Sequence, residues 1–142
     1  MSNAPADLFV YGTLMEDRVV ERVLGRPFAR TLPALLPDYR RFRVAGQTYP
    51  GVAPAPGRSV AGLLVADAGA HLAALDRFEG PPYQRRPLEV VCGSETRPCF
   101  AYVLRPEYPG LFTDEDWDFG DFLASGDLER FLALYPGLGA GD

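Results

Sequence analysis

The sequence predicts an α+β domain, on three observations. Many short stretches alternate like strands, a helical spacing interrupts them, and two helical stretches follow toward the C-terminus. At 142 residues the chain suits one domain over residues 1–142, long enough to bury a real core. Its 47% hydrophobic and 23% charged content is that of an ordinary globular protein. Periodicity alone does not decide between a barrel and a sandwich.

Residues 1–6 read as a frayed tail. A strand follows, with Leu8 and Val10 on one face and Phe9 and Tyr11 on the other. It ends in Gly12-Thr13, where a small residue lets the backbone approach another group and nearby N–H groups can converge on an anion or carbonyl oxygen. Residues 15–24 place Val19, Val20, Val23 and Leu24 at helical spacing, and Gly25 suits the position just past the helix. Prolines are expected to break the next region into extended pieces at 28–36, 39–44 and 48–53, with a further strand at 59–66. Asp67 can cap a helix that runs to Phe78 or Glu79 and stops at Gly80-Pro81-Pro82. Residues 88–92 and 99–104 read as a hairpin that turns at Gly93-Ser94-Glu95. Thr113 is placed to cap a helix beginning Asp114-Glu115-Asp116, with Trp117, Phe119, Phe122 and Leu123 as its apolar bulk. A last short helix starts at Gly126-Asp127 and turns Phe131 and Leu132 inward. Tyr-Pro-Gly occurs at Tyr49, Tyr108 and Tyr135; the unequal spacing rules out a repeat, and type II turns account for all three.

The net charge of -5 gives no electrostatic case for nucleic acid or anionic membrane. No apolar run reaches the length of a membrane span and no signal-peptide order opens the chain, so a cytoplasmic location is expected. All 14 basic residues are arginine, which removes any lysine nucleophile or Schiff base. One His and two Cys give no ligand spacing, so no metal site is expected. Cys92 and Cys99 read as reduced, partly buried thiols on facing strands, and His71 as a surface residue.

One side chain departs from this ordinary pattern. Glu79 lies four residues after Leu75 and seven after Leu72, on the inward face of its helix and near the C-terminal end. Burial and the helix dipole both raise the pKa of such a carboxyl, and a nearby Arg85 would lower it. A carboxylic acid tuned in this way exchanges protons near neutral pH. The structural alternative is a glutamate paired with Arg85 or reaching water. Tyr83 and Arg85 share a strand face: Tyr83 can donate a hydrogen bond, and Arg85 can orient Glu79 or grip a substrate carboxylate. Structural polar contacts would explain either residue as well.

Tyr11-Gly12-Thr13-Leu14, followed by Leu75-Asp76-Arg77-Phe78-Glu79-Gly80 and Tyr83-Gln84-Arg85, resembles the gamma-glutamylcyclotransferase-like family. The likeness is strongest to its plant and bacterial avirulence-induced-gene branch. It continues through Leu24-Gly25-Arg26, the Tyr39-Arg40-Arg41-Phe42 run, Tyr49-Pro50-Gly51-Val52 and Val60-Ala61-Gly62. The resemblance implies a small, mostly antiparallel β-barrel with helices around it. It also implies cyclisation of a gamma-glutamyl substrate: the substrate's α-amine attacks its own γ-carbonyl and releases 5-oxoproline with an amine or amino acid. Glu79 carries over as the general acid/base. Tyr11, Gly12, Thr13 and Leu14 carry over as the substrate-binding loop, and Tyr49 as a border of the pocket. The nucleophile belongs to the substrate, so the resemblance implies neither cofactor nor metal. Met15-Glu16-Asp17-Arg18 departs from the Lys-Arg-Gly continuation of gamma-glutamylamine cyclotransferases, which speaks against glutaminyl-lysine isopeptides as substrate. Two non-catalytic readings stay open: a binder of a small acidic metabolite, and an interaction module docking through the acidic stretch 114–121.

Overall fold

Leu8, Phe9 and Val10 form β1 (Leu8–Val10), the strand that closes a barrel. The computed structural model describes residues 6–135, so the expected tail falls outside the described residues except for Ala6. After β1 come α1 (Asp17–Leu24), β2 (Thr31–Arg43), β3 (Pro50–Val65), α2 (Leu72–Glu79), β4 (Tyr83–Cys92), β5 (Glu95–Leu104), α3 (Phe119–Ala124) and α4 (Asp127–Leu134). Around the barrel the strands run β1-β3-β2-β4-β5, and β5 returns to β1. That closing pair is parallel and the others are antiparallel. The expected α+β barrel with surrounding helices is the fold.

The alternation of β1 divides the core in two. Phe9 and Tyr11 point into the barrel, where Leu36, Val52, Val60, Leu64 and Val90 meet them. Leu8 and Val10 point outward, against Val19, Val20 and Val23 of α1, Leu75 of α2, and Trp117, Phe122 and Leu128. Tertiary packing on both faces makes so short a strand tenable. Gly25, at φ 90°, ends α1 in the left-handed region its position predicted.

The prolines do not break the second quarter of the chain. Residues 31–43 and 50–65 form two long paired strands in place of four short ones. Their register shifts between Pro37 and Tyr39, where Asp38 alone, at φ 63°, stands against residues 55–58 of β3 and its carboxylate accepts the Gly57 N–H at 3.0 Å. A bulge bends a strand that a proline would otherwise end. The hairpin is also longer than expected: β4 and β5 turn on Gly93-Ser94 alone, with Cys92 opposite Glu95. Cys99 faces Leu88 rather than Cys92; both thiols are free, and burial pushes the Cys99 thiol up to about 12.

Three expected caps and turns are corrected. Asp67 does not cap α2; it sits at φ 55° with its carboxylate on Arg30 at 3.0 Å, and a 3-10 turn (Gly69–His71) leads into the helix. Thr113 does not cap α3. Its hydroxyl donates to the Arg43 carbonyl, the acidic run 114–116 is not helical, and Asp118 caps the helix by accepting the Asp121 N–H at 2.9 Å. Pro50 and Gly51 open β3 instead of forming a type II turn, whereas Tyr108 starts a 3-10 turn (Pro109–Leu111). Pro136 and Gly137 of the third triplet lie outside the described residues.

Candidate active site

The pocket lies where the mouth of the barrel meets the C-terminal ends of α2 and α4. Its volume is about 240 Å³. β1 and the 3-10 turn after it (Thr13–Met15) supply residues 9–14, the β2–β3 connection supplies residues 47–50, and α2 supplies Phe78 and Glu79. Tyr83, Tyr102 and, from α4, Phe131, Leu134 and Tyr135 complete the wall. Seven of the eight expected site residues therefore meet: Tyr11, Gly12, Thr13, Leu14, Tyr49, Glu79 and Tyr83.

Arg85 does not. It forks onto Asp76, with Nε 2.9 Å from Oδ1 and Nη2 3.2 Å from Oδ2, and lies over the Phe100 ring. The right-handed twist of β4 carries Arg85 away from the pocket although it shares a nominal face with Tyr83. Arg85 thus neither orients Glu79 nor lines the pocket to grip a substrate carboxylate. Burial pushes the Asp76 carboxyl up, but hydrogen bonds from Arg85 and from the Tyr102 hydroxyl at 2.7 Å outweigh it and hold the group low.

Glu79 is the last residue of α2, one turn beyond the fully buried Leu75. It keeps some exposure through the pocket mouth while apolar and aromatic walls crowd its carboxyl. Among the described residues it accepts no hydrogen bond, and no arginine or histidine lines its pocket. Burial first, then the Asp76 carboxylate one turn back, push its pKa up to about 8. The expected direction holds, and its second cause is a like charge on the same helix.

Two of the tyrosines facing Glu79, Tyr11 and Tyr83, have their protons committed. The Tyr11 hydroxyl donates to the Tyr102 carbonyl at 2.6 Å, and the Tyr83 hydroxyl donates to the Pro50 carbonyl at 2.7 Å. Burial, with Glu79 adding to it, raises both phenols well above their ordinary value and also raises Tyr49. Tyr83 therefore offers the pocket oxygen lone pairs rather than the proton its sequence position suggested. In the same lining, the amides of Gly12, Thr13 and Leu14 donate no hydrogen bond among the described residues. The lining thus holds both acceptors suited to a cation and backbone donors suited to an anion.

Gly12 serves a close approach, as its position predicted. A Cβ there would stand 2.7 Å from Cγ of Pro50, so only glycine lets the loop after β1 seat against the start of β3. Arg41 secures the same loop from behind, donating to the Tyr11 carbonyl at 2.8 Å and the Ala61 carbonyl at 3.0 Å. A planar trans peptide sets the Gly12 N–H opposite that carbonyl, away from Arg41.

The family model for gamma-glutamyl cyclotransferase, AIG2-like, matches residues 8–119. This chain belongs to that family. AIG2-like protein D of Arabidopsis thaliana is 35% identical over 132 residues, which cover 89% of this chain and 84% of that protein. Among solved structures, an Arabidopsis thaliana protein determined in solution is 29% identical with a TM-score of 0.67, covering 95% of this chain and 83% of its own. A gamma-glutamyl cyclotransferase superposes with a TM-score of 0.60 at 21% identity, over 70% of this chain and 66% of that one, and shares the fold.

Within the matched part of this AIG2-like chain, sequence reasoning missed Tyr102, Asp76 and Arg41. Tyr39-Arg40-Arg41 carried part of the resemblance, but a carbonyl-binding arginine leaves no local signal. Phe131 was read as an inward core residue; it packs against the core and also walls the pocket. Among the described residues no cluster of His, Cys, Asp or Glu is arranged to hold a metal, and no helix is long and apolar enough to cross a membrane.

Proposed function

We propose that this protein is a gamma-glutamyl cyclotransferase with Glu79 as its general acid/base. One observation carries the reading: a carboxyl with a pKa near 8 stands in the pocket wall, and among the described residues it accepts no hydrogen bond and has no cation in its lining. A bound substrate's α-ammonium supplies the missing partner. Its α-carboxylate falls to the amides of the loop after β1, which donate to no partner among the described residues.

The reaction then needs little from the protein beyond position and one proton relay. Glu79 takes a proton from the ammonium, and the freed amine attacks the γ-carbonyl carbon within the same molecule. The new C–N bond closes a five-membered lactam as the bond to the leaving nitrogen breaks. Two protons leave the attacking nitrogen and two are gained by the departing one, so 5-oxoproline and an ammonium are the products. A buried carboxyl of raised pKa can return protons as readily as it takes them. The phenol oxygens of Tyr11 and Tyr83 help to hold the ammonium.

The test is incubation with a panel of gamma-glutamyl amino acids, gamma-glutamyl amines and glutathione, with 5-oxoproline as the product measured. Release from at least one of them is expected. A folded protein that releases none from any would end this reading.

A further inference from the structure

Accepting the cyclotransferase reading, we infer that the leaving group is an amine whose substituent is uncharged and apolar, best aromatic, and not an amino acid. In this reading the glutamyl part takes Glu79 for its ammonium and the 12–14 amides for its carboxylate, and Gln47 and Thr48 line the pocket from the β2–β3 connection. What remains for the other side of the scissile bond is a slot of Phe78, Phe131, Leu134 and Tyr135. Edge-to-face contacts frame it: Phe78 meets Tyr135 at 4.9 Å and 87°, and Phe131 at 6.1 Å and 76°. Phe131 also meets Tyr49 at 6.4 Å and 79°, which ties the slot to the β2–β3 connection. Leu134 is 82% exposed at the rim, an apolar side chain that α4 presents instead of burying.

A leaving amino acid would bring its carboxylate into this slot. The described lining offers it no cation, and Arg22, Arg43 and Arg130 are engaged elsewhere. Arg22 donates to the Leu132 and Tyr135 carbonyls at 2.8 Å each, and Arg43 and Arg130 both bind Asp127. A carboxylate there would lose water without gaining a cation and would lie near Glu79 besides. An aryl group would meet aromatic faces and edges.

Gamma-glutamyl-phenethylamine and gamma-glutamyl-phenylalanine differ only in that carboxylate and so make the test pair. For wild type, kcat/KM is expected to favour the phenethylamine conjugate by at least about tenfold. Leu134→Arg, at an exposed position, is expected to shrink that ratio by supplying the missing cation. Binding of both compounds to Glu79→Gln, measured by calorimetry, is expected to show the same preference in Kd. Equal or reversed preference overturns the inference, as does a ratio that Leu134→Arg leaves unchanged. Release of 5-oxoproline from neither compound while another gamma-glutamyl compound is cyclised also overturns it. Release from no gamma-glutamyl compound at all would instead defeat the cyclotransferase reading, and the Kd ratio would still decide the chemistry of the slot.

Discussion

A carboxylate at the C-terminal end of a helix meets a dipole of the wrong sign, and Glu79 adds a like charge at Asp76. Its pKa of about 8 has two consequences for pH dependence. The acid limb of kcat/KM is expected to rise toward pH 8 as Glu79 ionises and to vanish in Glu79→Gln. Stability runs the other way. Unfolded, the group ionises near ~4.3, so its burial penalty is absent below that pH, grows as pH rises, and is complete above about 8. Urea titrations across that range check this: the advantage of Glu79→Gln over wild type grows with pH, toward an upper bound of about 5 kcal/mol. Asp76→Asn is expected to shift the acid limb to lower pH, since it removes a like charge and frees Arg85. A limb that stays in place would mean burial alone sets the value. The inward position of Glu79 was legible from Leu72 and Leu75 by helical spacing. The partner of Arg85 was not, because it depends on how far β4 has twisted by the time it passes α2.

At the scale of elements, the loop after β1 is the most constrained piece. Gly12→Val would drive a side chain into Pro50, already 2.7 Å from a bare Cβ. It is expected to cost roughly 1–3 kcal/mol in stability and to raise KM or lower kcat through the displaced amides. Full kinetics from a well-folded Gly12→Val protein would take this loop out of the site. The loop was legible as a strand end with a small residue. The long strands β2 and β3 were not, because proline content argues locally against strands, while the bulge at Asp38 answers it through a partner 19 residues away at Gly57. The caps failed for a related reason: Asp67 and Thr113 had the right chemistry for N-caps, and tertiary partners (Arg30 and the Arg43 carbonyl) took their side chains.

For the whole molecule, closure of the barrel depends on the parallel pairing of β1 with β5, Leu8 opposite Phe100 and Phe9 opposite Ala101. No hydrophobic period encodes a contact of that separation, so the family resemblance, not the residue pattern, carried the barrel. Phe122 packs α3 into the outer core beside Trp117, with ring centroids 5.5 Å apart. Phe122→Ala is expected to destabilise by roughly 3–5 kcal/mol, read as a lower urea midpoint. The proposed relay uses side-chain and substrate protons alone, so exhaustive chelation is expected to leave turnover intact. Loss of activity restored by a divalent ion would contradict the relay.

The most direct measurement is 5-oxoproline release by wild type and Glu79→Gln at neutral pH, with denaturant midpoints from the same preparations. Gln keeps the shape of the side chain and cannot accept the ammonium proton. The account predicts a fall in turnover of roughly two to four orders of magnitude with a midpoint equal to or above that of wild type. Retained turnover with a lowered midpoint would contradict it, and Glu79 would then be a structural residue.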